Sequence, residues 1–365
     1  MIAYLGRTSP DRLKGTCLLR LDLNTADEWR LRASLPTIRF ILRHAGKVVV
    51  LSHLGRPGGR HNGLTLRGKR KDIQRFLGER VAFIGHFRFP EMNERIRKGR
   101  ERIFLLENLR FLPGEDKNDP KLARRLAKLG DYYVNDAFAV SHRRAASLAA
   151  ITGFLPSYAG LELEREMKAL SDLLRKPSLP LVVVLGGAKA HDKLGVLRFL
   201  RDKADAFLLG GAAANTLLYL KGTDVGRSLT DEVDSDFAGL RRVLKYPNLL
   251  LPSDWKKEKN AILDIGPRTI RAYSEKIRSA RTVIWSGPLG FVEKKEFSKG
   301  TLAIARAIAR NKRAFRAVGG GETVMFLKKH ELDKKFSFIS TGGGAFLEFL
   351  AGEKLPGIEA LRKKR

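Results

Sequence analysis

The chain has 365 residues, 43% hydrophobic and 30% charged, the balance of a globular protein long enough for about two domains. Its 70 Lys and Arg against 39 Asp and Glu give a formal charge of +31, a field that attracts nucleotides, phosphorylated metabolites, nucleic acid or anionic lipid but does not specify a fold. No apolar run is long enough to span a membrane, the start lacks a secretory-signal pattern, and the lone Cys17 excludes an intrachain disulfide; a cytoplasmic protein is expected.

The first predicted strand, 17–23, carries Arg20 and Asp22 at alternate positions, with Asn24 one step beyond. Strand alternation puts these three on one face and Leu21 and Leu23 on the other. Such a polar stripe suits a cleft, or an edge strand with a wet face. A helix is expected here, read as 33–44 or, with Arg30 opening it, as 30–43. The apolar run 47–51 is a second strand, and Ser52-His53-Leu54-Gly55-Arg56-Pro57 comes directly after it. The strand 103–106 leads into Glu107-Asn108-Leu109-Arg110-Phe111. After a helix at 120–129, the strand 131–134 leads into Asn135-Asp136-Ala137-Phe138 and then His142-Arg143. Three strand ends thus deliver arginines, and Arg30 can point the same way. One arginine would be noise; several on one rim imply an anion site for a compact, highly charged small molecule.

Residues 162–175 read as a connecting helix, with Leu163, Met167, Leu170 and Leu174 at helical spacing. The segment Lys176–Pro180 breaks it. Further strands are expected at 181–185, 206–209, 261–263, 282–285 and 336–339, with helices at 192–203 and 299–311. This alternation of strand and helix predicts βαβ units and parallel sheets, with ligands beyond the carboxyl ends of the strands.

The second half is rich in glycine. Val182–Leu185 runs into Gly186-Gly187, then Lys189 and Lys193. If a helix starts there, the two lysines share a face, and free helix N–H groups favour a phosphate. The missing Gly-Lys-Ser/Thr ending rules out a Walker loop. Trp285-Ser-Gly-Pro-Leu-Gly-Phe-Val-Glu293 comes after a strand. Gly319-Gly320-Gly321-Glu322-Thr323 and Ser340-Thr341-Gly342-Gly343-Gly344 each precede an apolar run with helical character, so their amides can face phosphate oxygens. Arginines in one half and glycine loops with lysines in the other are what phosphoryl transfer between a metabolite and a nucleotide requires. The first half has no Gly-x-Gly-x-x-Gly turn with an acidic residue about 20 positions on, which disfavours a dinucleotide dehydrogenase.

These stretches resemble phosphoglycerate kinase nearly from end to end. The matching segments are Arg-Leu-Asp-Leu-Asn (20–24), Ser-His-Leu-Gly-Arg-Pro (52–57), Leu-Leu-Glu-Asn-Leu-Arg-Phe (105–111), Tyr-Val-Asn-Asp-Ala-Phe (133–138), Leu-Gly-Gly-Ala-Lys (185–189), Asp-Ile-Gly-Pro (264–267) and Ser-Thr-Gly-Gly-Gly-Ala (340–345). The resemblance implies two Rossmann-like three-layer α/β/α domains, their parallel sheets facing each other across a hinged cleft. It divides the chain into a phosphoglycerate-binding domain at 1–158, an interdomain helix at 159–176 and a nucleotide-binding domain at 177–349, with the tail 350–365 packing back on the first domain. The implied reaction is reversible transfer from 1,3-bisphosphoglycerate to Mg-ADP, giving 3-phosphoglycerate and Mg-ATP, by a monomer.

By the same resemblance, Asp22, Asn24, Arg30, His53, Leu54, Gly55, Arg56, Arg110, His142 and Arg143 would hold the phosphoglycerate. Arg30, Lys189, Gly321 and Gly344 would serve the transferring group. Gly187, Lys189, Lys193, Gly211, Glu293, Gly320, Gly321, Glu322 and Thr323 would bind the nucleotide, with Glu322 reaching Mg2+ through it. Four departures stand out. Glu322 replaces the usual Asp, Ser286 the usual Asn, Thr25-Ala26 the usual Val-Pro, and Ala139-Val140 the usual Gly-Thr. The high charge leaves one alternative, a catalytically impaired basic homologue that binds nucleic acid.

Overall fold

The computed structural model describes residues 1–25, 28–57, 62–232 and 236–362. Ala26 and the last three residues of the tail lie outside these. The chain forms two compact units, Met1–Lys168 with Lys354–Arg365, and Ala169–Glu353.

The first unit contains β1 (Thr16–Arg20), α1 (Trp29–His44), β2 (Lys47–Leu51), α2 (Lys69–Leu77), β3 (Val81–Ile84), α3 (Phe89–Lys98), β4 (Ile103–Leu106), α4 (Pro120–Ala127), β5 (Tyr132–Asn135) and β6 (Ser157–Ala159). α5 (Leu161–Arg175) starts here and runs on into the second unit. The strands form one parallel sheet in the order β3-β4-β2-β1-β5-β6. A parallel sheet is covered on both faces, so its strands read as continuous apolar runs. β2 and β4 do so, and Val48–Leu51 and Ile103–Leu106 are buried throughout. α1 sets Leu31, Leu35, Ile38 and Ile41 against Leu19, Val48 and Val50. Each such side chain contributes about 1.5–3 kcal/mol on burial. α1 starts at Trp29, ahead of 33 and one residue before the start at Arg30, which places Arg30 in its first turn. α4 starts at a strong cap, where the Asp119 carboxylate accepts from Lys121 N with Pro120 at the first helical position.

In the same unit the helical turn Pro356–Glu359 is tied to the end of β5. Gly357 N donates to Ser141 O at 2.8 Å, and Asn135 Nδ2 donates to Gly357 O at 3.2 Å.

The second unit contains β7 (Leu181–Leu185), α6 (Leu194–Phe199), β8 (Ala206–Leu209), α7 (Gly211–Leu220), α8 (Phe237–Val243), β9 (Leu249–Leu250), β10 (Trp255–Glu258), β11 (Ala261–Ile265), α9 (Pro267–Ser279), β12 (Thr282–Ser286), α10 (Lys299–Arg310), β13 (Phe315–Gly319), α11 (Gly321–Lys329), β14 (Phe338–Ile339) and α12 (Gly344–Leu350). Its main sheet is again parallel, in the order β14-β13-β12-β7-β8-β9. The strand expected at 261–263 does not join it. As β11 it pairs antiparallel with β10 in a separate ribbon. The turn between them, Lys259-Asn260, has φ of 47° and 62°. Two successive positive φ values are the signature of the tight turn whose twist suits an antiparallel hairpin. The helix expected at 192–203 is also shorter. A 3₁₀ turn at His191–Lys193 precedes α6.

Candidate active site

In the first unit the parallel register brings the ends of β1, β2, β4 and β5 to one rim. Polar side chains then knit the loops. Ser52 Oγ donates to Leu21 O (2.9 Å) and accepts from Leu23 N (3.0 Å). Asn24 Oδ1 accepts from Gly55 N at 2.8 Å, and Asn108 Oδ1 accepts from Leu54 N at 3.1 Å. The His53–Gly55 loop is thus held by two asparagines from different strand ends. Arg110 Nη1 donates to Gly55 O (2.5 Å) and its Nε to Asp116 Oδ1 (3.1 Å). Arg30 pairs with Asp22 at 2.7 Å. Beside these groups a cleft of about 860 Å3 is lined by Arg56, Arg110, Asp116, Lys117, His142, Arg143 and Arg144.

Mutual repulsion shows how closely the cations crowd. Burial first, then the charges of Arg110 and Arg56, depress the pKa of Arg143. His142 is pushed down to about 4, first by burial and then by Arg143. His53 falls well below its usual range, mainly through burial, with Arg20, Arg110, Arg143 and Arg30 adding to it. Both imidazoles are therefore neutral at pH 7. Among the described residues, three buried nitrogens, Arg30 Nε, His53 Nε2 and His142 Nδ1, have no hydrogen-bond partner. A set of crowded donors with orphaned N–H groups is built to receive an anion. The structure thus gathers Asp22, Asn24, Arg30, His53, Leu54, Gly55, Arg56, Arg110, His142 and Arg143 in one region of this unit. Residues not foreseen there include Ser52, Asn108, Asp116 and, as a partner of His53, Arg20. All but Asp116 lie inside the segments that carry the resemblance; what the sequence lacks is their hydrogen-bond pairing across strands.

In the second unit the strand-end turns touch backbone to backbone. A Cβ on Gly186 would lie 2.1 Å from Pro288 O, so the turn after β7 tolerates no side chain there. Gly187 N donates to Pro288 O (2.8 Å), Gly211 N to Leu289 O (2.9 Å) and Ala213 N to Gly187 O (3.1 Å). The turns after β7, β8 and β12 become one floor. Gly320, with φ of 99°, leads into α11, and Thr323 Oγ1 accepts from Gly287 N at 2.9 Å. Gly320 N donates to Gly342 O at 3.0 Å, joining the turn before α12. The first N–H groups of α11 lack intrahelical partners and carry the positive end of its dipole. Above this floor is a cavity of about 240 Å3 lined by Gly187, Gly211, Leu229, Trp255, Asp264, Pro288, Phe291, Glu293, Glu322 and other largely apolar groups. Asp264, from the Asp-Ile-Gly-Pro segment, was given no role by the sequence.

The two lysines do not share a helix face. Lys189 is exposed in the loop after β7 and Lys193 ends the 3₁₀ turn, with 7% exposure. The loop is pinned from a distance by Asp231, whose carboxylate accepts from Ala190 N (2.7 Å) and His191 N (2.8 Å). Sequence spacing gives no sign of this clasp, because Asp231 is about 40 residues away. Burial lowers the pKa of Lys193, while Asp192, Asp231 and Glu322 support its charge. Glu322 itself is exposed at the start of α11. Among the described residues no group of three or more His, Cys, Asp and Glu side chains could hold a metal. A single carboxylate suits a magnesium ion that arrives on the phosphates of a nucleotide.

An anion site of crowded arginines in one parallel α/β unit, and in another a glycine-floored pocket whose Glu322 supports the charge of the buried Lys193, define a phosphotransferase. Comparison with known proteins agrees. Residues 15–353 match the family model for phosphoglycerate kinase. The chain is 38% identical to phosphoglycerate kinase of Dictyoglomus turgidum, over 96% of this chain and 97% of that one. It is 40% identical to the enzyme of Thermosipho africanus, over 97% and 96%. Among solved structures it resembles phosphoglycerate kinase from Coxiella burnetii (TM-score 0.81, 34% identity, 99% of each chain). It also resembles the one from Pyrococcus horikoshii OT3 (TM-score 0.85, 32% identity, 99% of this chain and 98% of that one). The chain belongs to the phosphoglycerate kinase family and is a kinase phosphotransferase. Nothing in these comparisons supports the nucleic-acid-binding alternative.

Proposed function

We propose that the chain transfers a phosphoryl group reversibly between 1,3-bisphosphoglycerate and Mg-ADP, with the first unit holding the phosphoglycerate and the second the nucleotide. The observation that carries this reading is the crowding of Arg30, Arg56, Arg110 and Arg143 around two neutral histidines. Such a cluster is costly when empty and favourable around a small polyanion. The apolar pocket beside Gly187, Gly211 and Glu293 suits a flat base and ribose.

In the forward direction a β-phosphate oxygen of ADP attacks the acyl-phosphate phosphorus, and the bond from phosphorus to the carboxyl oxygen breaks. The leaving group is a carboxylate and the nucleophile is already anionic, so no proton moves. The protein therefore needs no general base; its work is positioning and electrostatics. Arg30 and Lys189 supply positive charge to the transferring group, and amides near Gly321 and Gly344 add to it. Asp22 orients Arg30. His53, His142, Asn24 and the Leu54–Gly55 loop complete the acid site. Lys193, Gly320 and Thr323 serve the nucleotide phosphates. Magnesium would be held by Glu322 and the nucleotide, and would neutralise phosphate charge there. The protein is expected to act in the cytoplasm as a monomer. Among the described residues no helix is long and apolar enough to cross a membrane.

The test is a coupled assay with 3-phosphoglycerate and Mg-ATP, run beside Mg-GTP to define the base preference. Turnover that Arg30→Ala lowers about 100- to 1,000-fold supports the reading. A folded wild-type protein without turnover overturns it.

A further inference from the structure

Arg20, the last residue of β1, has no assigned part in the reaction, yet it is one of the largest fully buried side chains in the protein. Its Nε donates to Ser147 Oγ at 2.9 Å and its Nη1 to Leu21 O at 2.5 Å. Its Nη2 lies 3.1 Å from His53 Nδ1. Ser147 in turn donates its hydroxyl to Glu115 Oε1 (2.5 Å) and its backbone N–H to Glu115 Oε2 (3.1 Å). Glu115 Oε1 is 3.9 Å from Arg20 Nη2. These groups form one buried chain: Glu115, Ser147, Arg20, His53.

A guanidinium has five donors, no acceptor, and keeps its proton in a protein. Facing it, His53 Nδ1 can only accept. A neutral imidazole carries a single N–H, which must then sit on Nε2. Burial, reinforced by Arg20, Arg110, Arg143 and Arg30, keeps the ring neutral. Nε2 is itself buried and, among the described residues, has no partner. The arginines around it accept nothing, so its proton is free for an oxygen that a ligand brings to this cluster.

We propose that Arg20 is a positioning residue that locks His53 in the Nε2–H tautomer, aiming that N–H at an anionic oxygen of the acid substrate, with Glu115 holding Arg20 in place through Ser147. This rests on the reading that His53 belongs to the phosphoglycerate site.

The experiment is ¹H–¹⁵N NMR of the imidazoles in the full-length protein near pH 7.5, with His53 assigned by the signal lost in His53→Gln. Wild type should show a protonated Nε2 and a bare Nδ1, and 3-phosphoglycerate should move Nε2. Arg20→Met alone strands a buried carboxylate and risks misfolding, so the main variant is Arg20→Met/Glu115→Gln. It should show mixed tautomers and a KM for 3-phosphoglycerate raised about 10- to 100-fold, the scale of a charge-assisted hydrogen bond, with KM for Mg-ATP unchanged. Arg20→Lys keeps a donor and should restore the tautomer and most of the KM. An Nδ1–H tautomer in wild type, or unchanged tautomer and KM in the double variant, overturns the proposal. If 3-phosphoglycerate binds wild type by calorimetry but does not move His53 Nε2, the proposal fails while the substrate assignment stands. If it does not bind at all, the substrate assignment fails and the proposal with it.

Discussion

The Arg30 guanidinium meets the Asp22 carboxylate at 2.7 Å, with 16% and 5% of the two side chains exposed. Arg30 comes from the first turn of α1 and Asp22 from the segment just after β1, so the pair joins a helix start to a strand end. In such shelter, removing one partner leaves the other charge uncompensated and free to turn away.

Asp22→Asn is expected to lower kcat/KM for 3-phosphoglycerate by about 10- to 100-fold, with KM for Mg-ATP nearly unchanged. Arg30→Ala should act chiefly on kcat, by about 100- to 1,000-fold, as expected for charge stabilisation made only in the transition state. Steady-state kinetics with each substrate varied in turn will check both.

The histidines make the first unit sensitive to acid. Folding holds the pKa of His142 at about 4, below its ordinary 6.5, and that of His53 also lowered. Between these values the unfolded chain takes up protons that the folded chain refuses. Stability should therefore fall as pH drops from about 6.5 toward 4. Hydrogen exchange of β1 and β5 amides reads this unit by itself, and His142→Gln should flatten part of the dependence.

Much of the fold was legible in advance because buried parallel strands announce themselves. The limits of β2, β4, β7 and β8 fall where the apolar, often β-branched runs predict them. The strand ends carrying His53, Arg110 and Arg143 were readable for the same reason, since the residues just past each run must lie on the rim. Three features were not. The alternation argument for Arg20, Asp22 and Asn24 assumes a strand to residue 23, but β1 ends at Arg20. Arg20 thus turns under His53 while Asp22 meets Arg30. The Lys189–Lys193 helix face fails because the glycine turn and the Asp231 clasp delay α6 to Leu194. The ribbon of β10 and β11 is set by two positive φ values at Lys259 and Asn260, and Lys-Asn is a weak signal for such a turn.

Glu322 and Lys193 test the second unit. Lys193 is buried with Glu322, Asp192 and Asp231 supporting its charge. Lys193→Met should weaken Mg-ADP about 10-fold or more, the loss of one charge-assisted contact, and leave 3-phosphoglycerate binding intact. Glu322→Gln should raise the magnesium concentration needed for half-maximal rate, Glu322→Asp should change it less, and chelation by EDTA should stop turnover. Magnesium titrations of the rate will decide.

Gly320 isolates backbone strain from crowding. Its φ is 99°, yet a Cβ there would find its nearest atom 3.6 Å away, at Thr323 Oγ1. Gly320→Ala should therefore cost about 1–3 kcal/mol through conformation alone, a fall in Tm of about 2–12 °C for a unit of this size. Calorimetric melting will check it. Because the same turn ties α11 to Gly287, nucleotide affinity should fall with it.

The division of labour between the units is most directly tested by isothermal titration calorimetry on the full-length protein. 3-Phosphoglycerate and Mg-ADP would each be titrated into wild type, Arg110→Ala/Arg143→Ala and Lys193→Met. The expected result is a crossover, in which the arginine variant loses the acid and keeps the nucleotide while the lysine variant does the reverse. Equal loss of both ligands in either variant, or loss of neither, would contradict the account.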